Sequence, residues 1–282
     1  MILLAPELLK TVNEDVKTIA KKIGENNVLI HSDIKNLFLF EFSSKFDLLD
    51  KHLRNIFDIF SGFNIWMPTF NYDFTKSGVY DTKLDKSQVG VLNDYFRTVC
   101  DWRTTTPVFN FCGNGKYPIK KIQSEVKIDP FSYGSEFHYL YKTNSLQCHY
   151  GSKFSASTLL HYVEKTSKKL LYRYSKIFSG IVINNNKTKK IFLDYHVSPM
   201  KIKVGYDWKK IYLDLLNDNL IHEFKIFNDV NYIMLFSVKE VSDYWINKLN
   251  NDPFYFVDEE SKKWVIPKIE KLGRGFVLED FE

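Results

Sequence analysis

Apolar residues recur every three or four positions through Leu8, Leu9, Val12, Val16, Ile19, Ala20 and Ile23, a spacing that predicts an amphipathic helix ended at Gly24. Val28-Leu-Ile-His31 then reads as a short buried strand. Phe46, Leu49, Leu53, Ile56, Phe57 and Phe60 mark a second helical stripe, and Gly62 precedes a second strand from Phe63 to Met67. The opening third therefore alternates helix and strand, which is the grammar of a layered α/β domain.

Further on, Ser87 stands where a capping serine would open a helix running to Arg97. Arg103 to Pro107 and Asp129 to Ser135 read as loops. Ser155-Ala-Ser-Thr158 can cap a helix that carries Leu159, Leu160 and Val163 inward. Gly180 to Ile183, a turn at Asn184 to Asn186, and Ile191 to Tyr195 predict a hairpin. Helices are expected from Asp207 and from Val238 to Leu249. No internal repeat or low-complexity linker divides the chain, so residues 1–282 are expected to form a single domain.

Composition narrows the class. A hydrophobic fraction of 44% with 16% aromatics suffices for a substantial core and excludes wholesale disorder. No apolar run approaches the ~20 residues of a membrane-spanning helix. The segment Met1 to Pro6 lacks the basic leader of a signal peptide. Cys100, Cys112 and Cys148 form no CxxC pair, which suits a reducing cytoplasm and argues against a disulfide framework or structural zinc. The net charge of +5 is carried by scattered lysines, with small runs at Lys120-Lys121, Lys168-Lys169 and Lys189-Lys190 that read as solvated faces. This is too sparse for a nucleic-acid stripe, but it tilts the chain toward anionic ligands such as nucleotides.

Chemistry is signalled faintly by the residues alone. Ser157, His161 and Glu164 share one face of their helix at ~100° per residue. A histidine beside a carboxylate is how a general base is oriented, although the spacing alone fits a half-buried helical histidine with a chance neighbour better. His138, His149 and His161 lie too far apart in sequence for a zinc motif, and no HExxH occurs. Ser32-Asp33 after the first strand and Ser87 to Gly90 can each cradle an anion, yet neither carries a P-loop or GxGxxG signature. Gly134-Ser135-Glu136 is no nucleophile elbow. Cys112 and Cys148 read as buried thiols.

The order of these segments resembles the antibiotic acetyltransferase family, whose name-giving members are the aminoglycoside 3-N-acetyltransferases. The matches are Val28-Leu-Ile-His-Ser-Asp33, Met67-Pro-Thr-Phe70 with Tyr72-Asp73, and Ser87-Gln-Val-Gly90 with Leu92 and Phe96-Arg97. They continue through Arg103-Thr-Thr-Thr-Pro107, Asp129-Pro-Phe-Ser-Tyr-Gly-Ser135 and Thr158-Leu-Leu-His-Tyr-Val-Glu164, with a looser extension at Val204-Gly-Tyr-Asp-Trp208. The resemblance implies a three-layer α/β/α sandwich around a mixed β-sheet and an acyltransferase that uses acetyl-CoA; the cysteine and histidine spacing gives no metal. It implies His161 as the base for the acceptor amine and Glu164 as its partner, with Thr158 a candidate for the oxyanion. Contacts to the cofactor fall to His31, Ser32, Asp33, Ser87, Arg103, Thr104 and Pro107, a structural ion pair being the alternative for Arg103. Contacts to the acceptor fall to Thr69, Tyr72, Asp73 and Tyr133. Thr106-Pro107 replaces the family's His-Pro, and Ser132-Tyr133 replaces a glycine-rich turn. Those departures put aminoglycoside specificity in doubt; the basic charge, and the Arg-Thr-x-x-Pro form at Arg103 to Pro107, which resembles the polysaccharide-associated branch, favour a nucleotide-linked amino sugar for surface polysaccharide as acceptor. An aminoglycoside is the alternative, and an inactive CoA- or sugar-binding relative the second.

Overall fold

The first helical stripe forms α1 (Pro6–Ile23), burying Leu9, Val16 and Ala20, and leads into β1 (Asn27–Ser32). The computed structural model describes residues 6–37, 39–115, 117–118, 126–167, 170–199, 202–226 and 230–281. The Lys120-Lys121 and Lys168-Lys169 runs lie outside these. Next come α2 (Lys45–Ile59), capped by the Ser44 hydroxyl accepting from the Asp47 N–H, and β2 (Asn64–Pro68). The short α3 (Phe74–Ser77) and β3 (Val79–Asp81) precede α4 (Val91–Val99). The middle of the chain forms β4 (Trp102–Arg103), β5 (Phe111–Gly113), β6 (Lys127–Ile128), α5 (Glu136–Lys142), β7 (Leu146–Tyr150) and α6 (Leu159–Thr166). The long hairpin β8 (Tyr174–Asn184) and β9 (Lys187–Val197) follows, then α7 (Trp208–Asn217), β10 (His222–Ile226), β11 (Val230–Ser237), α8 (Val238–Asn251) and α9 (Glu259–Leu272).

A seven-stranded mixed sheet runs in the order β10-β11-β7-β1-β2-β5-β4. Its centre, β7-β1-β2, is parallel, and the flanking pairs are antiparallel. Alternation along β1 sends Val28 and Ile30 to the core shared with α1, α2 and α4, while Leu29 joins the core of α5, α6 and α8. Helices therefore cover both faces, giving the expected three layers. A second, four-stranded sheet in the order β3-β8-β9-β6 adds Val182, Ile191 and Leu193 to the α5–α6–α8 core. The sequence pattern does not announce this sheet, because its edge strands span only three and two residues. Its central hairpin is longer than the periodicity predicts. Asn185 (φ 47°) and Asn186 (φ 61°) make the left-handed two-residue turn that matches strand twist.

Two local expectations change. The helix anticipated from Ser87 begins only at Val91, because Gly90 turns the chain at φ 86° and the Ser87 hydroxyl accepts from the Val89 N–H without capping the helix. Thr158 occupies the first position before α6 without a side-chain cap, its hydroxyl directed at the Ala156 carbonyl.

Chain path places the site. β1 connects to β2 through α2 on one face of the sheet, whereas β7, on the other side of β1, is reached through α5 on the opposite face. Neighbouring strands that feed opposite faces leave a crevice beyond their carboxyl ends. Here those ends are His31-Ser32 and His149-Tyr150, paired in register. Gly151 (φ 66°) closes the floor: a Cβ there would lie 2.4 Å from the Asp33 carbonyl oxygen. Gly151→Ala should therefore lower thermal stability more than Gly62→Ala, whose Cβ meets nothing within 4 Å at φ 92°. The expected difference is roughly 1–3 kcal/mol. Equal losses in thermal unfolding would contradict the close approach.

Candidate functional site

Beyond the ends of β1 and β7, a cleft of about 610 Å³ opens toward the start of α6. His31, Ser32 and Asp33 border it from β1 and its exit, Gly90 to Asn93 from the start of α4, and Ser155 to Thr158 with His161 from α6 and its approach. Phe70, Tyr72 and Trp208 supply aromatic walls. Asn93 ties these parts together, donating to the Pro68 carbonyl at 2.6 Å and accepting from the Ser32 hydroxyl. The first N–H groups of α4, which no residue of its own helix can satisfy, thus start at the cleft rim.

His31 stacks on His149 at 5.2 Å between ring centroids. His149 Nδ1 meets the Ser152 hydroxyl at 3.0 Å, and that hydroxyl donates to the His31 carbonyl. Burial drives both imidazoles toward the neutral form, His31 down to about 4. The floor is polar but carries no cation.

His161 is held differently. Leu159, Leu160 and Val163 anchor α6 in the core, leaving the His161 side chain 25% exposed at the cleft. Its Nδ1 lies 2.9 Å from Glu164 Oε2, one helical turn on. Glu164 is fully buried; the Arg173 Nε lies 3.0 Å from Oε2 and the Tyr206 hydroxyl donates to Oε1 at 2.7 Å. Burial opposes its charge, yet the Arg173 charge and the His161 hydrogen bond hold its pKa down at about 2. An ionised carboxylate only accepts, so Nδ1 of His161 must carry the proton and Nε2 keeps its lone pair. Burial first, and then the Arg173 charge, lower the His161 pKa below the ordinary 6.5, against the pull of Glu164. The ring is neutral near pH 7 and can accept a proton there.

The structure gathers part of the expected set. His31, Ser32, Asp33, Tyr72, Thr158 and His161 surround one cleft, with Glu164 behind His161. Ser157 turns aside to accept from Gln147 at 2.8 Å. Arg103 lies away from the cleft: its guanidinium makes five hydrogen bonds, to the Thr69, Thr82 and Asp85 carbonyls and twice to Asn110 Oδ1. It is a structural tie with no N–H left for a phosphate, and the ion pair considered as its alternative is replaced by carbonyl and amide oxygens. Thr69 and Thr104 are buried, bonded to Asn110 and Phe111, and Pro107 is buried beside them. Ser87 is bound through its N–H to Asp94, and Asp73 is exposed beside α3. Thr106, at the family's histidine position, donates to the buried Glu136 at 2.9 Å.

Tyr133 is 85% exposed, packed on His138, at a separate cavity of about 740 Å³ between the hairpin and residues 129–136. That cavity is the larger, but its carboxylates Asp194 and Asp129 are engaged by Lys127 at 3.1 Å and Lys165 at 3.3 Å. The His161–Glu164 pair stands at the smaller cleft. Asn93, Ser152, Arg173 and Tyr206 were not singled out from the sequence. Only Tyr206 had a signal, inside Val204-Gly-Tyr-Asp-Trp208. Among the described residues no group of three His, Cys, Asp or Glu side chains is placed to hold a metal ion, and no helix is long and apolar enough to cross a membrane.

Known proteins extend this picture. The fold is similar to that of the YokD protein from Bacillus subtilis, with a TM-score of 0.64 and 16% identity over 87% of this chain and 94% of that one. It is similar to AAC-IIIb, solved as a binary complex with CoASH, with a TM-score of 0.67 and 13% identity over 89% and 97% of the two chains. AAC-VIa, solved with sisomicin bound, gives 0.65 and 14% over 87% and 97%. At such identities the likeness is one of fold. No curated protein matches the chain in sequence. The family model described as aminoglycoside 3-N-acetyltransferase matches residues 64–250, about two-thirds of the sequence. This chain belongs to that family, and is an N-acetyltransferase by class.

Proposed function

We propose that the protein transfers the acetyl group of acetyl-CoA to an amino group on a sugar, with His161 as general base. The observation that carries this reading is the His161 ring at the cleft, its Nδ1 engaged by a buried, ionised Glu164. An ammonium cannot attack a thioester, so its lone pair must be freed. In the proposed step the amine nitrogen bonds to the thioester carbonyl carbon while its proton passes to His161 Nε2. The C–S bond then breaks, and the proton leaves with the CoA sulfur as a thiol. The developing oxyanion needs a donor, and the Thr158 hydroxyl at the same cleft, turned from its long bond to the Ala156 carbonyl, is our candidate. For the cofactor's phosphates, the N–H groups at the start of α4 and the exposed Lys153 are suited by charge and direction. The whole chain is taken as one catalytic domain. Free Cys100, Cys112 and Cys148 suit a cytoplasmic setting, where acetyl-CoA is available.

The acceptor is read from charge. Asp33 is the one acidic residue bordering the cleft among the described residues, against Lys153. A polycation would want more carboxylates, whereas a nucleotide-linked amino sugar would not. The aminoglycoside reading has its own support in the family and in the neighbour solved with sisomicin.

Release of free thiol from acetyl-CoA with nucleotide-linked amino sugars, but not with sisomicin, is the expected outcome; the reverse would install the aminoglycoside as acceptor. Silence with both amines would remove the transferase reading at this cleft. His161→Ala should cut kcat/KM by at least about a hundredfold, and a folded variant with intact turnover would end the base assignment. The base works neutral, so kcat/KM should fall on the acid side through a pKa below 6.5. Glu164→Gln removes the group that raises that pKa, so the acid limb should move lower still as kcat drops. Lys153→Ala should raise KM for acetyl-CoA several-fold at low salt and less at high salt, about what one screened phosphate contact is worth.

A further inference from the structure

We propose that Arg173 and Tyr206 are positioning residues for the base, clamping the Glu164 carboxylate from behind so that His161 keeps one tautomer and one orientation. This rests on the reading of His161 as the base.

The clamp follows from donor and acceptor counting. Arg173 lies just before β8, its side chain only 9% exposed, and has donors but no acceptor. Its Nη1 donates to the His196 carbonyl at 2.9 Å, which pins it to the end of β9. Its Nε and Nη2 donate to the Tyr206 oxygen at 2.9 and 2.6 Å, and Nε also lies 3.0 Å from Glu164 Oε2. With two N–H groups directed at its oxygen, the Tyr206 hydroxyl has one direction left for its own proton, toward Glu164 Oε1 at 2.7 Å. Glu164 then has Oε1 filled by Tyr206, and Oε2 shared between Arg173 and His161. The chain of hydrogen bonds runs from Arg173 through Tyr206 and Glu164 and ends with His161 Nδ1–H. The other imidazole tautomer, with no proton on Nδ1, is not compatible with these bonds. Tyr206 is itself fixed by a bridge to Val257 and by its neighbour Gly205, whose N–H donates to Ser261 at 2.8 Å.

Charge adds a second, separable consequence. The groups around His161 and Glu164 are Lys165 on α6, Tyr172 and Arg173 before β8, Asp194 and His196 on β9, and Tyr206 before α7. Lys165 is taken up by Asp129 and Asp194. Burial keeps Tyr172, Tyr206 and His196 neutral near pH 7. The buried cluster therefore holds one negative charge, on Glu164, and one positive, on Arg173. A proton on His161 leaves it with an excess positive charge. Without the arginine charge the same proton would neutralise the cluster, and the histidine would hold it to higher pH.

Arg173→Gln, Arg173→Lys and Tyr206→Phe separate charge from geometry. The readouts are the kcat/KM pH profile with the amine that supports thiol release, and the His161 titration followed by NMR, which needs no acceptor. Arg173→Gln should raise the His161 titration and the acid limb by about one pH unit. Arg173→Lys should leave both near wild type yet lower kcat about tenfold, because an ammonium cannot reproduce the fork. Tyr206→Phe should lower kcat by a similar factor with KM nearly unchanged. An unmoved titration in folded Arg173→Gln, or full kcat in Tyr206→Phe, would overturn the clamp. Should Arg173→Gln fail to fold, the Arg173→Lys titration and the Tyr206→Phe kcat decide. If His161→Ala stays active, the base reading fails; if it is dead while the clamp variants behave as wild type, only the clamp fails.

Discussion

A carboxylate with no exposed surface is the feature on which the rest of this structure turns. Removing Glu164 from water is tolerable only if its charge is matched and both oxygens are bonded. The chain meets that demand with one residue from its own helix and two from distant segments: His161 on α6, Arg173 before β8 and Tyr206 before α7. The long hairpin and the C-terminal helices thus do more than cover the sheet. They bring Arg173 and Tyr206 against the back of α6, and α9 packs on the segment around Tyr172 and Tyr174 that carries the arginine.

The sheet performs the complementary task in front of that helix. Opposite crossovers from β1 open a crevice at its carboxyl end, and the apolar core of Phe131, Phe137 and Leu160 fixes α6 beside it. Phe131 also meets the His161 ring edge-on at 5.9 Å. One wall of the cleft therefore offers backbone donors from α4 and the other a neutral imidazole, with a polar but uncharged floor of stacked His31 and His149 between them. An anion at one end and an amine at the other is the division of labour that the proposed acyl transfer would use.

Much of this was legible in the sequence, and the reasons are local. Strong 3.6-residue stripes marked α1 and α2, and the i, i+3 spacing of His161 and Glu164 needs no tertiary information. Short motifs at Val28 to Asp33 and Thr158 to Glu164 lie at strand and helix ends that face the cleft. Arg103 shows the limit. A guanidinium in a loop reads as an anion ligand until the fold supplies four oxygens that take all five of its N–H groups. The Ser87 helix start failed for a similar reason, since the need for Gly90 to pass close to the Ser32 carbonyl is set by β1, not by its neighbours in sequence. Arg173 and Tyr206 lie 9 and 42 residues from Glu164, a separation no periodicity can signal.

The account stands on the protonation pattern of one ring, which long-range proton–nitrogen NMR reads directly. In uniformly nitrogen-15-labelled protein at pH 7, with the His161 signals assigned by their loss in His161→Asn, the account predicts a neutral imidazole protonated at Nδ1, with Nε2 carrying the lone pair. A ring protonated at Nε2, or a doubly protonated imidazolium at that pH, would contradict it.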